Sequence, residues 1–460
     1  MSLPRCAALL LGLNLIACTH GGDRPVIPEP PRPEFDSKAA QAQLSEVLDQ
    51  LATAEADGSL SAQECQSLAD AFGALHDPKE PKTANAAFNA GVIWERCAQP
   101  ARAATAYQLA ISTDPQHAAA MNNLGVLQWS SGDHEAATAS FERATKVDSA
   151  NPAPRNNLAM AMRERYLSKG STADFDKAEN ALQNALAVDS DNPVSYENLA
   201  RLYYDRGRTQ DRSYLLLAQL VITQGHKILA EQGQSSAELH NLHGLLLMEQ
   251  DDQVNALRAF KQATAVDTEH PEAHLNIAMI ALRFRDYPTA EKSLEKALED
   301  GRHDNEVTAL LGLGVAQRGQ RRYDEAAKTL TRAQEADGKD ARALYNLGIL
   351  YHEHIAPTRS QVPTEGGEET QFDEKPYREA QQFFERFQKA AAGRYPKEVA
   401  DAKSRVASIE QFIRDIGQIE ELKRQQLELE AQMRRQQQEE KERLLDIERR
   451  AREAATTTES

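Results

Sequence analysis

Cysteine, tryptophan, positive charge and long apolar runs are all in short supply in this chain. The 460 residues hold four cysteines and two tryptophans, with aromatics at 6%. So few rings suit stacked, Ala- and Glu-rich helices. Lys and Arg number 53 against 70 Asp and Glu, a formal charge of -17. That balance excludes a general nucleic-acid role, because phosphate binding needs a cationic surface. The longest apolar stretch, Cys6 to Ile16, is about a dozen residues, too short for a permanent membrane-spanning helix. Chemistry-bearing motifs are missing too: no HExxH, no phosphate-cradling glycine loop and no nucleophile elbow occur. Neither Cys65 nor Cys97 has a CxxC neighbour or the histidine spacing of a zinc site. His352 and His354, two apart, have the wrong offset for one helical face. The expectation is a non-enzyme with no metal and no cofactor.

What the chain does have is a beat. A small residue recurs at Gly91, Gly125, Ala159, Ala200, Gly244, Ala278, Gly314 and Gly348, four steps being 34 residues and one 36. A second small residue follows at Ala103, Ala137, Ala178, Ala218, Ala256, Ala290, Ala326 and Ala380. Four residues on stands a bulky knob: Tyr107, Phe141, Leu182, Ile222, Phe260, Leu294, Leu330 or Phe384. Spacings of three and four put these on one helical face, where large side chains enter holes left by small ones. Pro115, Pro152, Pro193 and Pro271 punctuate the turns between beats. A fixed period of this length means stacked supersecondary units, so the fold is expected to be all-α, with about eight helix hairpins over residues 84–395.

These positions, held through eight successive units, resemble the tetratricopeptide repeat family. The resemblance implies a right-handed superhelical solenoid of helix hairpins. Departures occur: the first-helix aromatic, present as Trp94, Tyr203 and Tyr351, is Gln128 and Gln317 elsewhere. One position is not explained by packing. An asparagine precedes the apolar and small residues of the first helix as Asn89, Asn123, Asn157, Asn198, Asn276 and Asn346, thickened by Asn122 and Asn156. An amide is costly to bury unpaired, so its repetition implies a polar job. In the family this place lines the concave groove, where a ladder of amides can grip an extended peptide backbone. The other reading is that the amides bond locally and set the spacing between repeats. Because Leu242 and Gly312 interrupt the ladder, its grip is expected mainly in the N-terminal half. Arg163, Arg201 and Arg283 on the same helices read as solvated charges.

At the front, residues 1–17 form a signal peptide, with Arg5 as its positive head. Leu15-Ile16-Ala17-Cys18 resembles the bacterial lipobox, which makes Cys18 the lipidated first residue of the mature chain. Thr19 after it implies release toward the outer membrane. Residues 18–36, with Pro25, Pro28, Pro30, Pro31 and Pro33, form an extended tether at roughly 3 Å per residue. Residues 37–80 read as a helical cap, with Ser61 and Glu64 as a capping box. The string Glu55 to Glu64 resembles half of a calcium-binding loop, but Thr53 stands where the first carboxylate belongs. Cys65 and Cys97 remain in the mature chain, either bridged across cap and first repeat or as two buried thiols.

Insertions near 167–174 and 207–212 read as polar surface loops, and 355–375 as a third interruption. From 396 to 460 a long helix is expected, its stripe of Val399, Val406, Ile409, Phe412, Ile413 and Ile416 capping the array before a charged projecting tail. Taken whole, the chain is similar to envelope lipoproteins with tetratricopeptide repeats, most of all those of the myxobacterial gliding-motility apparatus. That implies a membrane-anchored scaffold facing the periplasm from the outer membrane. It would bind envelope proteins through its groove, with its C-terminal helix as a second surface, and no nucleic acid. Pilus secretin assembly, outer-membrane protein assembly and presentation of peptidoglycan enzymes are the alternatives.

Overall fold

Paired helices follow one another along almost the whole chain in the computed structural model, which describes residues 37–55, 60–299, 306–363, 370–391 and 393–457. The signal peptide, Cys18, the tether, and Asp57 and Gly58 of the calcium-like string lie outside the described residues. The chain divides into two units, Met1–Ala259 and Phe260–Ser460.

In the first unit, α1 (Ser37–Glu55) and α2 (Ala62–Ala74) precede the hairpins α3 (Ala84–Arg96) with α4 (Pro100–Thr113) and α5 (Ala118–Ser130) with α6 (His134–Val147). Then come α7 (Pro152–Lys169) with α8 (Thr172–Val188), α9 (Pro193–Thr209) with α10 (Ser213–Glu231), and α11 (Ala237–Glu249). The boundary falls inside α12 (Gln253–Val266). The second unit holds α13 (Pro271–Arg283) with α14 (Tyr287–Glu299), α15 (Glu306–Gly319) with α16 (Tyr323–Ala336), and α17 (Ala341–Leu350). A π-helical turn at Tyr351–Ile355 and the short α18 (Ala356–Arg359) lead to α19 (Lys375–Ala391), which pairs with α17, and to α20 (Pro396–Thr457).

The small-and-large alternation closes each hairpin. A Cβ built on Gly91 would sit 2.6 Å from the Tyr107 ring, and on Gly125 2.6 Å from Phe141. Gly314 stands in the same relation to Leu330, and Gly348 to Phe384. The second helix therefore drives its knob against the backbone of the first. Tyr107, Phe141, Leu330 and Phe384 are all buried as a result.

Helix starts follow local chemistry. Asp133, Asn151 and Asn192 accept backbone N–H bonds as N-caps, with Pro152 and Pro193 at the first helical position. The capping box is present: Ser61 Oγ accepts from the Glu64 N–H, and the Glu64 carboxylate accepts from the Ser61 N–H at 2.8 Å.

The first two insertions are partly helix, leaving only short exposed turns at Gly170-Ser171 and at residues 210–212. Leu167, Ser168 and Lys169 extend α7, Gly170 ends it in the left-handed region at φ 69°, and Ser171 caps α8. Likewise α9 runs on to Thr209. Helix propensity wins because Leu, Lys and Arg continue a hydrogen-bonded ladder at no loop-closure cost. The third interruption holds a feature absent from the expectation, a two-stranded antiparallel ribbon pairing β1 (Gln361–Pro363) with β2 (Thr370–Phe372).

At the N-terminal end, Val47 and Leu51 of α1 and Leu68 and Phe72 of α2 pack with Ile93 of α3. A disulfide joins Cys65 to Cys97 across this contact, with Cα atoms 6.2 Å apart. At the other end, Ala402 and Ile409 of α20 are fully buried with Phe384 and Phe387, and Val399, Val406 and Ile413 pack beside them. Beyond residue 416 almost every α20 side chain up to residue 450 is exposed, including Leu422, Leu427 and Leu444. Among the described residues, no helix is long and apolar enough to cross a membrane.

Candidate functional site

The asparagine series divides between the two units. In the first, Asn89, Asn122, Asn123, Asn156 and Asn157 are buried at 0–5% exposure. Several of these amides meet one another across the joints between repeats, while Asn89 Oδ1 and Asn157 Oδ1 are buried without a hydrogen bond among the described residues. Asn157 Nδ2 on α7 donates to Asn122 Oδ1 on α5 at 2.9 Å, and Asn198 Nδ2 on α9 donates to Asn156 Oδ1 at 3.4 Å. Asn156 Nδ2 also donates to Ser195 Oγ at 3.0 Å, and Asn123 Nδ2 to the Tyr107 hydroxyl at 3.3 Å. Successive first helices are thus joined by side-chain amides. The reason is distance: first helices stack closely enough for amides one repeat apart to reach each other, and a buried amide is stable only when paired.

Arginines take part in the same stitching. Arg163 is 6% exposed and meets Asp205 of α9 at 2.5 Å, so it is not a solvated charge. Arg201 Nε donates to Glu238 of α11 at 2.7 Å. Only Arg283 of the three is exposed. Burial of a guanidinium demands a carboxylate partner, and each pair ties one first helix to the next.

In the second unit the ladder asparagines are less deeply set, as Asn198 is in the first. Asn276 and Asn346 are half-buried, and Asn346 Nδ2 donates within its own helix to the Arg342 carbonyl at 3.0 Å. Asn346 and Gly312 line a cavity of about 340 Å³. Met279 and Leu282 of α13, Leu311 and Val315 of α15 and Phe387 of α19 make its apolar wall. Thr308, Arg342, Tyr345, Tyr395 and Glu398 supply polar groups. Gly312 meets the recess with backbone alone, because Leu294 and Leu282 already pack where its side chain would begin: a Cβ there would lie 3.2 Å from Leu294.

The polar groups at this cavity are held in place by neighbours. Arg342 forks onto Asp340, with Nε 3.1 Å from Oδ1 and Nη2 2.6 Å from Oδ2, while Asp340 caps α17. The Arg342 hydrogen bond holds the Asp340 carboxyl below its usual range, and the same bond pushes the guanidinium up. The Tyr345 hydroxyl donates to Asp401 of α20 at 2.8 Å. Burial first, then this carboxylate, pushes the phenol up to about 12, so it stays a donor. Asp401 and Glu353 in turn accept from Arg405, at 2.6 and 2.8 Å. Tyr395 reaches the wall from a left-handed backbone conformation, φ 57°, at the turn into α20. The result is a preformed apolar recess rimmed by fixed donors and acceptors, suited to one apolar side chain with its adjoining peptide groups.

The cavity itself was invisible to periodicity. Its walls come from α13, α15, α17, α19 and the start of α20, from Met279 to Glu398. The one signal was Gly312, a ladder position without an amide.

The tetratricopeptide repeat family matches residues 98–154 and 168–211 in the first unit and 269–339 in the second. Among curated proteins, none matches the chain. Among solved structures, pilF of Pseudomonas aeruginosa is 16% identical with a TM-score of 0.39, the match covering 49% of this chain and 94% of that one. PilW, a widely conserved type IV pilus biogenesis factor, is 17% identical with a TM-score of 0.38, covering 49% and 96%. A tetratricopeptide repeat protein from Parabacteroides merdae is 13% identical with a TM-score of 0.47, covering 61% and 100%. With family matches inside both units, the hairpin array is a tetratricopeptide-repeat solenoid, a scaffold for protein–protein interaction.

Proposed function

We propose that this scaffold is anchored to the bacterial outer membrane by acylated Cys18, faces the periplasm on the proline tether, and binds a protein segment in the groove of its second unit. Its role there is to support assembly of an envelope machine. The cavity beside Asn346 carries the binding part of the reading, because it joins an apolar recess to fixed hydrogen-bonding groups. Groove contact falls to Asn276 and Asn346, whereas Asn89, Asn122, Asn123, Asn156, Asn157 and Asn198 keep the repeats in register. The bonded Cys65 and Cys97 favour an oxidising compartment. The lipobox-like Leu15-Ile16-Ala17-Cys18 supports the anchor. Number of repeats and the C-terminal helix support the gliding-motility apparatus as the machine.

A photo-crosslinking residue at position 315 in living cells tests the binding site. The expected outcome is an adduct with an envelope protein that disappears when Asn346→Ala is combined with Met279→Trp, which fills the recess. No adduct at that position, with an adduct from an exposed α20 position, would move binding to the long helix. Mass spectrometry of the adduct discriminates motility components from pilus, barrel-assembly or wall-enzyme partners. Cys18→Ser should shift the protein from the membrane to the soluble fraction, and its retention would refute the lipid anchor.

A further inference from the structure

We propose that His226, His240 and His243 form a binding site for one divalent transition metal ion of the imidazole-seeking class, represented by zinc, on the face shared by α10 and α11. His240 and His243 are three residues apart on α11 and share one helical face, which His226 meets from α10. The His226 ring centre lies 4.5 Å from that of His240 and 6.4 Å from that of His243. Two imidazoles on one tetrahedral ion, each bonded at about 2.0–2.1 Å, have ring centres about 5 Å apart. The observed spacings bracket that value; as they stand the three rings do not present their nitrogens to one point, and they must turn about their side-chain torsions when the ion binds.

Two nitrogens are already without partners. His226 Nε2 and His240 Nδ1 are buried with no hydrogen bond among the described residues. Such atoms are uncommon in a folded chain, and a metal ion gives both of them a partner. The other nitrogen of His240, Nε2, lies 3.0 Å from Ser235 Oγ. With its proton on Nε2 donated to that hydroxyl, the ring presents a lone pair at Nδ1, the arrangement by which an outer hydrogen bond orients a ligand. Nitrogen ligands alone suit zinc, nickel or copper and give magnesium or calcium nothing to hold.

Equilibrium dialysis of the full chain, purified without a histidine tag, against zinc tests the site. One tightly held equivalent is expected. His226→Ala and His240→Ala should each weaken binding more than about tenfold, while His134→Ala, on an exposed ring, should leave it unchanged. Circular dichroism checks that the variants fold. A readout on the unaltered chain guards against misfolding: cobalt should broaden the ring-proton resonances of three histidines out of twelve. The proposal fails if the unaltered chain takes up no equivalent, if the His226 and His240 variants bind as it does, or if cobalt broadens other histidines.

Discussion

At the scale of single residues, the repeat is a set of contacts with no room to spare. A methyl group on Gly125 would come within 2.6 Å of the buried Phe141 ring. Overpacking of this kind costs about 1–3 kcal/mol, so Gly125→Ala should lower the urea midpoint of unfolding, and Gly73→Ala, with nothing within 4 Å, should not. Asn156 both donates to Ser195 and accepts from Asn198. Removing it leaves two polar groups short of a partner, and Asn156→Ala should destabilise by about 1–3 kcal/mol, measured by chemical denaturation. Histidines set a pH dependence. His226 is pushed from 6.5 down to about 4 by burial first, then by His240 and His243. The unfolded imidazole therefore takes up its proton at a higher pH than the folded one, and stability is lost as pH falls from about 6.5 toward 4. A melting-temperature series across that window should flatten in the His226→Gln variant.

At the scale of helices and turns, one geometry recurs with different residues. The α5–α6 turn places Gly132 at φ 87°, and the α15–α16 turn places Arg321 at φ 63°. Both turns are closed by the same bond, from the N–H of the next residue to a carbonyl five back: Asp133 to Gln128 and Arg322 to Gln317, each at 2.9 Å. Arginine is strained in that conformation and glycine is not, so Arg321→Gly should stabilise by up to about 1 kcal/mol, read as a higher melting temperature. The long helix α20 has two parts with different duties. Ile409→Asp puts a charge among Phe384 and Phe387 and should strip the helix from the array, exposing its end to protease. Truncation after residue 417 removes only solvated turns and should leave the melting temperature in place.

At the scale of the whole molecule, a linear array lets each end melt on its own, and local staples matter most where neighbours are fewest. The Cys65–Cys97 bridge closes a 32-residue separation at the N-terminal end. Chain-entropy arguments give such a loop about 3–4 kcal/mol. Cys65→Ser, or reduction, should therefore loosen α1 and α2 first, seen as early amide exchange there with the second unit unaffected.

By itself the sequence determined the helices, their pairing, the small-against-large contact that closes each hairpin, the capping box and the long terminal helix. Each of these depends on residues within about 40 positions of one another, so periodicity and spacing are enough to state them. What Asn122, Asn157 and Arg163 face was decided only by the tertiary structure. A side chain on a first helix can point to an open groove or to the preceding repeat, and the superposition of repeats, not the repeat unit, settles which. The same holds for the recess at Gly312 and for the meeting of His226 with His240 and His243. These sites are made by surfaces that come together only after the helices have stacked.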